Sequence, residues 1–461
     1  MWGKNNSKKV RISPYNLILL SFFIIILFGG TLLSLPVSTA DGQGTRWIDG
    51  VFTAASAVCV TGLVVHDVSS AYSLYGKTLI LVLIQIGGLG VITLSSLIVI
   101  LISKKIGYGA KKVLQEDMNA ESTFKIQDFV KKIAVTVFSI ELAGAFFLFF
   151  EFIQKLSFTE ALYYAVFHSV SAFCNAGFAL YPDNLLSFQG SVIINLVIPF
   201  LIIAGGIGFA ALIDIYRYIS KKDRRLALTT KMVIFITLIL VIEEKYITLI
   251  LVIAGTFLTF VFEYSNTGTI GNLSIMGKLG ASFFQSITTR TAGFNTVSMP
   301  DLRHATVLLY VVLMFIGASP GSTGGGIKTT TFGVILLGVV NTLRNTGNIE
   351  IGKRKISWDV FNKAIVISFI SIIYINVVLL FLIEIEKNIP FIDLLFEVVS
   401  AFGTVGLSRD LTPLLKDSSK WLLILTMFLG RVGPLTMAMA MTGRIIKKEK
   451  FRYPEENVLI G

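Results

Sequence analysis

The stretch "SAFCNAGFA", Ser171–Ala179, has three counterparts elsewhere in the chain: "SAVCVTGLV" at Ser56–Val64, "TTRTAGFNT" at Thr288–Thr296 and "SAFGTVGLS" at Ser400–Ser408. They share the glycines Gly62, Gly177, Gly293 and Gly406, spaced 115, 116 and 113 residues apart. Ten residues before each glycine stands a phenylalanine: Phe52, Phe167, Phe283 and Phe396. Position, residue type and period agree four times, which marks an internal fourfold repeat.

Working outward, every repeat has the same plan. A long apolar span comes first, as at Val130–Phe152 and Ala364–Ile383. An apolar segment of about 12 residues follows and ends in the glycine motif. A helix needs about 20 residues to cross a hydrocarbon core about 30 Å thick, so this segment reads as re-entrant. A second long span closes the repeat. It carries glycines of its own: "GGLG" at Gly87–Gly90, "GGIG" at Gly205–Gly208 and "GRVG" at Gly430–Gly433, with "GASPGSTGGG" (Gly317–Gly326) in the third repeat. The expected fold class is an all-α membrane protein with four pseudo-symmetric helix–pore-loop–helix repeats around one central pore. The expected boundaries are residues 1–110, 111–225, 226–345 (with an intramembrane gating loop) and 346–445, followed by a cytoplasmic C-terminal tail, 446–461.

Composition agrees. The 461 residues are 54% hydrophobic and 15% charged, with mean hydropathy +0.77; a soluble domain carries about 25% charge. The first span, Tyr15–Leu35, has a basic flank but no small-residue cleavage site, so it reads as a retained helix. A net charge of +12 could suggest nucleic acid. Its placement argues instead for a lipid bilayer and no nucleic-acid partner. Basic residues cluster at Lys4–Arg11, Lys104–Lys112, Lys221–Arg225, Lys353–Lys355 and Lys447–Lys450, whereas the intervening connections carry Asp41, Asp49, Glu151, Glu160, Glu384 and Glu386. By the positive-inside rule, both termini and all the clusters are cytoplasmic in a multi-pass protein of the cell membrane. Cys59 and Cys174 give no disulfide framework, and His66, His168 and His304 lack metal-ligand spacing.

Non-helical backbone at membrane depth survives only inside protein or beside a water-filled cavity. Four re-entrant loops about one axis would line such a cavity. Glycine tolerates positive φ and lets carbonyls turn to the axis, where a ring of them replaces an ion's hydration shell. The electronegative C-terminal ends of the half-helices also favour a cation. Close helix packing is the competing reading of such glycines. It is adopted for Gly87–Gly90 and Gly205–Gly208. It leaves unexplained why Gly62, Gly177, Gly293 and Gly406 each follow a segment too short to span.

The chain resembles the Trk/Ktr/HKT superfamily of cation transporters, and within it the potassium-translocating membrane subunit of bacterial Ktr systems. The resemblance runs from "LPVSTADG" and "WIDGVFTAASAVCVTGL" through "QIGGLGVIT", "SAFCNAGFALYPDNL", "RTAGFNT" and "GSTGGGIKTTTFG" to "SAFGTVGLS", "GRVGPLT" and "RYPEENVLIG". It implies potassium uptake through a pore in each subunit of a homodimer. It also implies docking on a cytosolic nucleotide-binding regulatory ring of the KtrA/KtrC type, sodium as a supporting ion, and no covalently bound cofactor. The filter would comprise Val60, Thr61, Gly62, Asn175, Ala176, Gly177, Thr291, Ala292, Gly293, Thr404, Val405 and Gly406, holding K+ at backbone carbonyls. Glycine at all four filter places goes with potassium preference in the superfamily. A sodium-selective or unselective transporter of the same fold is the alternative.

"SPGSTGGGIKTTT", Ser319–Thr331, nearly matches a phosphate-binding P-loop, but Ile327 stands between Gly326 and Lys328. Inside a membrane span no cytosolic nucleotide would reach it, so an ATPase is rejected and no enzyme is expected. Proline and glycine break helices, which leaves an unwound segment below the filter. The resemblance makes it the gate: Gly317, Ala318, Ser319, Pro320, Gly321, Ser322, Thr323, Gly324, Gly325 and Gly326, with Lys328 and Arg431. Lys328 would snorkel to the cytoplasmic face or pair with an acid. Arg431 is placed at the pore, against the alternative of a lipid phosphate. One oddity remains. "ITLILVI" occurs at Ile236–Ile242 and again at Ile247–Ile253, around "EEKY". An 11-residue offset keeps both copies on one helical face.

Overall fold

The computed structural model describes residues 14–90, 126–209, 211–212, 247–344, 349–351 and 354–433. Most of the basic clusters, the C-terminal tail and the first "ITLILVI" copy with its "EEKY" lie outside these residues; the second copy opens a helix.

The described residues form fourteen α-helices and one small hairpin. The first unit contains α1 (Pro14–Leu33), α2 (Trp47–Val58), the single turn α3 (Val68–Ala71) and α4 (Leu74–Leu89). The second contains α5 (Ile126–Phe152), α6 (Phe158–Phe173) and α7 (Val192–Gly206). The third contains α8 (Ile247–Glu263), α9 (Ile275–Thr288), α10 (His304–Phe315) and α11 (Thr329–Leu343). The hairpin β1 (Ile349–Ile351) and β2 (Arg354–Ile356) pairs Ile349 with Ile356 and leads to the fourth unit: α12 (Trp358–Ile385), α13 (Phe391–Gly403) and α14 (Asp417–Val432).

Helix starts follow local chemistry. Ser73, Ser191 and Ser274 cap α4, α7 and α9, each hydroxyl accepting an N–H of the first turn. Ser157 and Glu160 form a reciprocal capping box on α6. The short helices α2, α6, α9 and α13 are 12, 16, 14 and 13 residues long, below the length needed to cross a bilayer. By contrast, Lys131–Phe152 and Trp358–Ile385 are long and apolar enough to cross one. Their outward faces carry large exposed apolar side chains, such as Leu142 (71%) and Phe369 (63%), as a lipid-facing surface would.

The packing is cyclic. Each short helix lies against the first long helix of its own unit: α2 on α1, α6 on α5, α9 on α8 and α13 on α12. The following helix of each unit then packs on the short helix of the next: α4 on α6, α7 on α9, α10 on α13, and α14 back on α2. The last step joins the two ends of the chain. There Lys420 Nζ donates to Asp49 Oδ1 at 2.7 Å, with both side chains at most 5% exposed. A buried charge is costly unless paired, so this contact specifies the closure.

One sequence match is corrected. Phe52, Phe167 and Phe396 are fully buried, but Phe283 is 37% exposed and Phe284 occupies the buried place. From the buried phenylalanine to the ring glycine the third unit is one residue shorter, nine positions instead of ten. Thr61, Ala176 and Val405 each donate their N–H to a serine carbonyl five residues back (Ser56, Ser171, Ser400), whereas Ala292 donates to Thr288, four back.

Candidate functional site

The twelve residues expected to form the filter are all buried and converge where the four short helices end. Gly62, Gly177, Gly293 and Gly406 form a closed ring. A Cβ on Gly62 would lie 3.2 Å from Gly177 Cα, one on Gly177 2.7 Å from Gly293 Cα, one on Gly293 3.4 Å from Gly406 Cα, and one on Gly406 2.8 Å from Gly62 Cα. All four have positive φ, from 70° to 99°. Two residues before each, Val60, Asn175, Thr291 and Thr404 also have positive φ, from 49° to 67°. Positive φ is strained for a β-branched side chain, yet it occurs here three times at one equivalent place. The residue between has negative φ in every unit, so the backbone alternates in hand along each segment.

Hydroxyls hold the alternation from behind. Ser56 Oγ accepts from Gly62 N at 3.0 Å and Ser400 Oγ from Gly406 N at 3.1 Å. In the other two units the hydroxyl donates one residue further on: Ser171 Oγ to Phe178 O at 2.8 Å and Thr288 Oγ1 to Phe294 O at 2.6 Å. Polar side chains outside the sequence expectation brace the outer side. His168 Nε2 accepts from Leu180 N at 3.2 Å, and Glu397 accepts from Ser408 Oγ at 2.8 Å and from Thr412 Oγ1. In the loop after Gly406, burial and then the charge of Asp301 push the Asp410 carboxyl above its usual range.

Gly87 and Gly205 pack closely, as the sequence reading held, and Gly430 does the same, all on the site itself. A Cβ on Gly87, Gly205 or Gly430 would fall well inside contact with the carbonyl oxygen of Val58, Phe173 or Phe402. Each of those carbonyls lies four residues before its ring glycine.

In the third unit α10 stops at Phe315, and residues 316–328 are non-helical until α11 begins at Thr329. The neck of this loop is closed by Gly317 N donating to Ile327 O at 2.8 Å. Its body reaches the other units. Ser319 N and Thr323 N donate to Gly206 O (3.2 Å) and Gly205 O (3.3 Å), and Gly321 O accepts from Phe209 N (3.0 Å). Gly325 N donates to Thr404 Oγ1 at 3.0 Å. The Arg431 guanidinium donates to Thr323 O in the loop and to Gly87 O in the first unit. Lys328 Nζ donates to Gly324 O at 2.7 Å, which folds it onto the loop instead of only toward an aqueous face. Arg290 was not singled out in the sequence. It stands half-buried three residues before Gly293, and its Nη2 lies 3.5 Å from Gly317 O. The signal was a lone arginine in an otherwise neutral motif. Cys59 and Cys174 are buried at the same offset in the first two units. Among the described residues no group of His, Cys, Asp and Glu could hold a metal ion.

Helices wrapped cyclically about four glycine-centred segments are a helical membrane-transporter fold, and the family and relatives that match it are ion transporters, not enzymes. The chain belongs to the TrkH family, described as "Cation transport protein", whose model matches residues 2–450. It is 40% identical to "Ktr system potassium uptake protein B" of Bacillus subtilis over 98% of both chains. It is 36% identical to "Potassium/sodium uptake protein NtpJ" of Enterococcus hirae, again over 98% of each. The protein of the same Ktr name from Vibrio alginolyticus is 35% identical, over 96% of this chain and 94% of that one. Among solved structures, the potassium transporter TrkH from Vibrio parahaemolyticus superposes with a TM-score of 0.70 at 19% identity, over 95% of this chain and 87% of that one. That likeness concerns the fold.

Proposed function

We propose that the chain takes up potassium across the cytoplasmic membrane through a filter formed by Val60–Gly62, Asn175–Gly177, Thr291–Gly293 and Thr404–Gly406, one segment from each of the four repeats with the boundaries given above. The observation that carries this reading is the closed glycine ring with its fourfold alternation of backbone hand. Such a backbone directs carbonyl dipoles to one axis, where they can stand in for water around a dehydrated cation. The names of the relatives, potassium uptake proteins, support potassium as the ion.

The loop from Gly317 to Gly326, with Lys328 and Arg431, is the gate in this reading. The loop lies against Thr404 and is tied to the second and fourth units, and Arg431 in turn reaches Gly87 O of the first. The fixed charge of Arg431 opposes a cation leaving beneath the filter. At about 6 Å and an effective dielectric near 20 the repulsion is roughly 3 kcal/mol, less with water in the pore. The Ktr names of the relatives support a multicomponent system; in our reading it is a homodimer on a cytosolic nucleotide-binding ring, with both termini cytoplasmic by the placement of the basic clusters. The name of the Enterococcus relative supports sodium as a second ion, which keeps the less selective alternative in view.

The test is rubidium and sodium flux in proteoliposomes, with potassium uptake by transport-deficient cells. Gly293→Ser should lower the rubidium-to-sodium ratio severalfold, because a side chain there meets Val405 O at 2.6 Å. An unchanged ratio would remove the filter assignment.

A further inference from the structure

We infer that His168 is a positioning residue for ion selection: its neutral imidazole fixes the chain that leaves the second filter segment and, through that chain, the carbonyl of Gly293 in the ring. The inference rests on the filter reading above and adds to it a side chain, outside the ring, on which the ring's outer geometry depends.

One place beyond the buried phenylalanines Phe52, Phe167, Phe284 and Phe396 stand Thr53, His168, Gln285 and Glu397, all fully buried. Thr53 stays within the first unit's outer packing: its hydroxyl donates to Asp49 O at 2.9 Å and accepts from Tyr72 Oη at 3.1 Å. The other three turn to the chain that follows their ring glycine. Gln285 Nε2 lies 3.5 Å from Thr296 Oγ1, and Glu397 accepts from the hydroxyls of Ser408 and Thr412. Of the four, His168 alone takes a main-chain N–H, that of Leu180, three residues past Gly177. Its tautomer follows from its partners. Nδ1 lies 2.7 Å from Tyr164 O, which can only accept, so Nδ1 carries the proton and Nε2 is left to accept. The rings of Phe152, Tyr164, Phe167 and Tyr181 pack around the imidazole, with centroids 5.2 to 6.0 Å away.

The contact matters at the ring because the chain beyond Gly177 is pinned from α6 and then reaches the third unit. Ser171 Oγ holds Phe178 O at 2.8 Å, and His168 holds Leu180 N at 3.2 Å. Four residues on, Asn184 has positive φ. Its Nδ2 donates to Gly293 O at 3.4 Å, and its Oδ1 accepts from Asn295 N at 3.3 Å. Leu185 N donates to Asn295 O at 3.2 Å. The outer chain of the second unit therefore touches a ring carbonyl of the third. Gly177 and Gly293 are also the closest pair in the ring. Leu180 is fully buried, so without the imidazole its N–H would lack both acceptor and water. That is costly, and the chain would shift to relieve it. Asn184 would pass the shift to Gly293 O. Selectivity depends on how many carbonyl dipoles face the ion and from where, so the effect falls on ion preference as well as on throughput.

The experiment is rubidium and sodium flux in proteoliposomes of the full chain. Glutamine carries an amide oxygen as far from the backbone as Nε2, and the third unit already uses glutamine at this rank. Asparagine reaches only as far as Nδ1, so it can keep the contact with Tyr164 O but leaves Leu180 N–H without an acceptor. His168→Asn should lower the rubidium-to-sodium ratio about three- to tenfold, the range that one hydrogen bond converts to. His168→Gln should restore the ratio, and Asn184→Ala should lower it with His168 intact. If His168→Asn reduces both fluxes by one factor and leaves the ratio unchanged, His168 only supports the fold and the inference is overturned. It is overturned equally if His168→Gln lowers the ratio as far as His168→Asn, because the acceptor is then not what acts. An unchanged ratio in Asn184→Ala overturns the route through Gly293 O. Should His168→Asn not purify, His168→Thr, the first unit's residue at this rank, replaces it with the same criteria. Gly293→Ser run alongside separates the two readings. An unchanged ion ratio there overturns the filter, whereas altered selectivity there with an unmoved ratio in His168→Asn overturns only the positioning role.

Discussion

The second spans of the first, second and fourth units and that of the third begin alike and end differently. α4, α7 and α14 run helically to Gly87, Gly205 and Gly430, each seated on a carbonyl at the end of a short helix. α10 stops at Phe315, before the equivalent level, and Ala318 stands where the others place glycine. All four chains still turn at a glycine of positive φ 27 to 31 residues beyond the ring: Gly90, Gly208, Gly321 and Gly433. The third unit therefore keeps the turn and loses the helix before it. Pro320 cannot donate a helical hydrogen bond, and the glycines around it favour the unwound chain. Close seating fixes where three inner helices pass the site, and in the gate reading its absence is what sets the third segment apart.

The largest effect should come from removing that seating. Gly430→Ala places a methyl against Phe402 O in a close-packed core, where overpacking costs about 1–3 kcal/mol. Uptake should fall at least about tenfold, with loss of thermal stability in detergent. Its counterpart, Ala318→Gly, should leave thermal stability in detergent nearly unchanged, because no helix is seated through that position. Equal effects of the two would break the comparison.

Next comes the loop. Gly317 and Ile327 are already hydrogen-bonded across its neck, so removing residues 318–326 leaves ends that nearly meet. Partner-independent rubidium flux should rise by an order of magnitude or so. If flux stays low, the gate lies elsewhere. Arg431→Ala should raise flux in the same direction but less, about two- to fivefold, since it releases one pin among several. The double change should be less than additive, because both act on one obstacle.

The smallest effect is expected from the other peculiarity of the third unit, its duplicated first span. Removing Ile236–Tyr246 takes out 11 residues and preserves the phase of α8. Uptake should be within about twofold of the intact chain, and loss of folding would show that the extension is structural.

The ring was legible in the sequence because its glycines are a local requirement repeated four times at a fixed period. The break of α10 was legible because Pro320 and the flanking glycines act on their own backbone. The rest depends on neighbours distant in sequence. Nothing near Thr404 announces that Gly325 will meet its hydroxyl, nor near Asp49 that Lys420 will close the circle. Phe283 misled because a one-residue difference in the link moves identity and position apart, leaving Phe284 to fill the buried place. Arg290 carried a signal, a charge in an apolar re-entrant segment. Its meaning needed the carbonyl of Gly317 beside it.

The ring is made by one polypeptide from four unequal segments, with Val, Asn, Thr and Thr at one rank. An assembly of four identical subunits would answer every substitution with four copies of the change. In the proposed filter a codon alters a single quadrant, so the environment of the ion can be adjusted in quarter steps while three sides stay as they were. Such an arrangement lets selectivity drift gradually between potassium and sodium under selection. It also gives the experimenter a graded scale, from one edited quadrant to four, on which the response of ion preference can be measured.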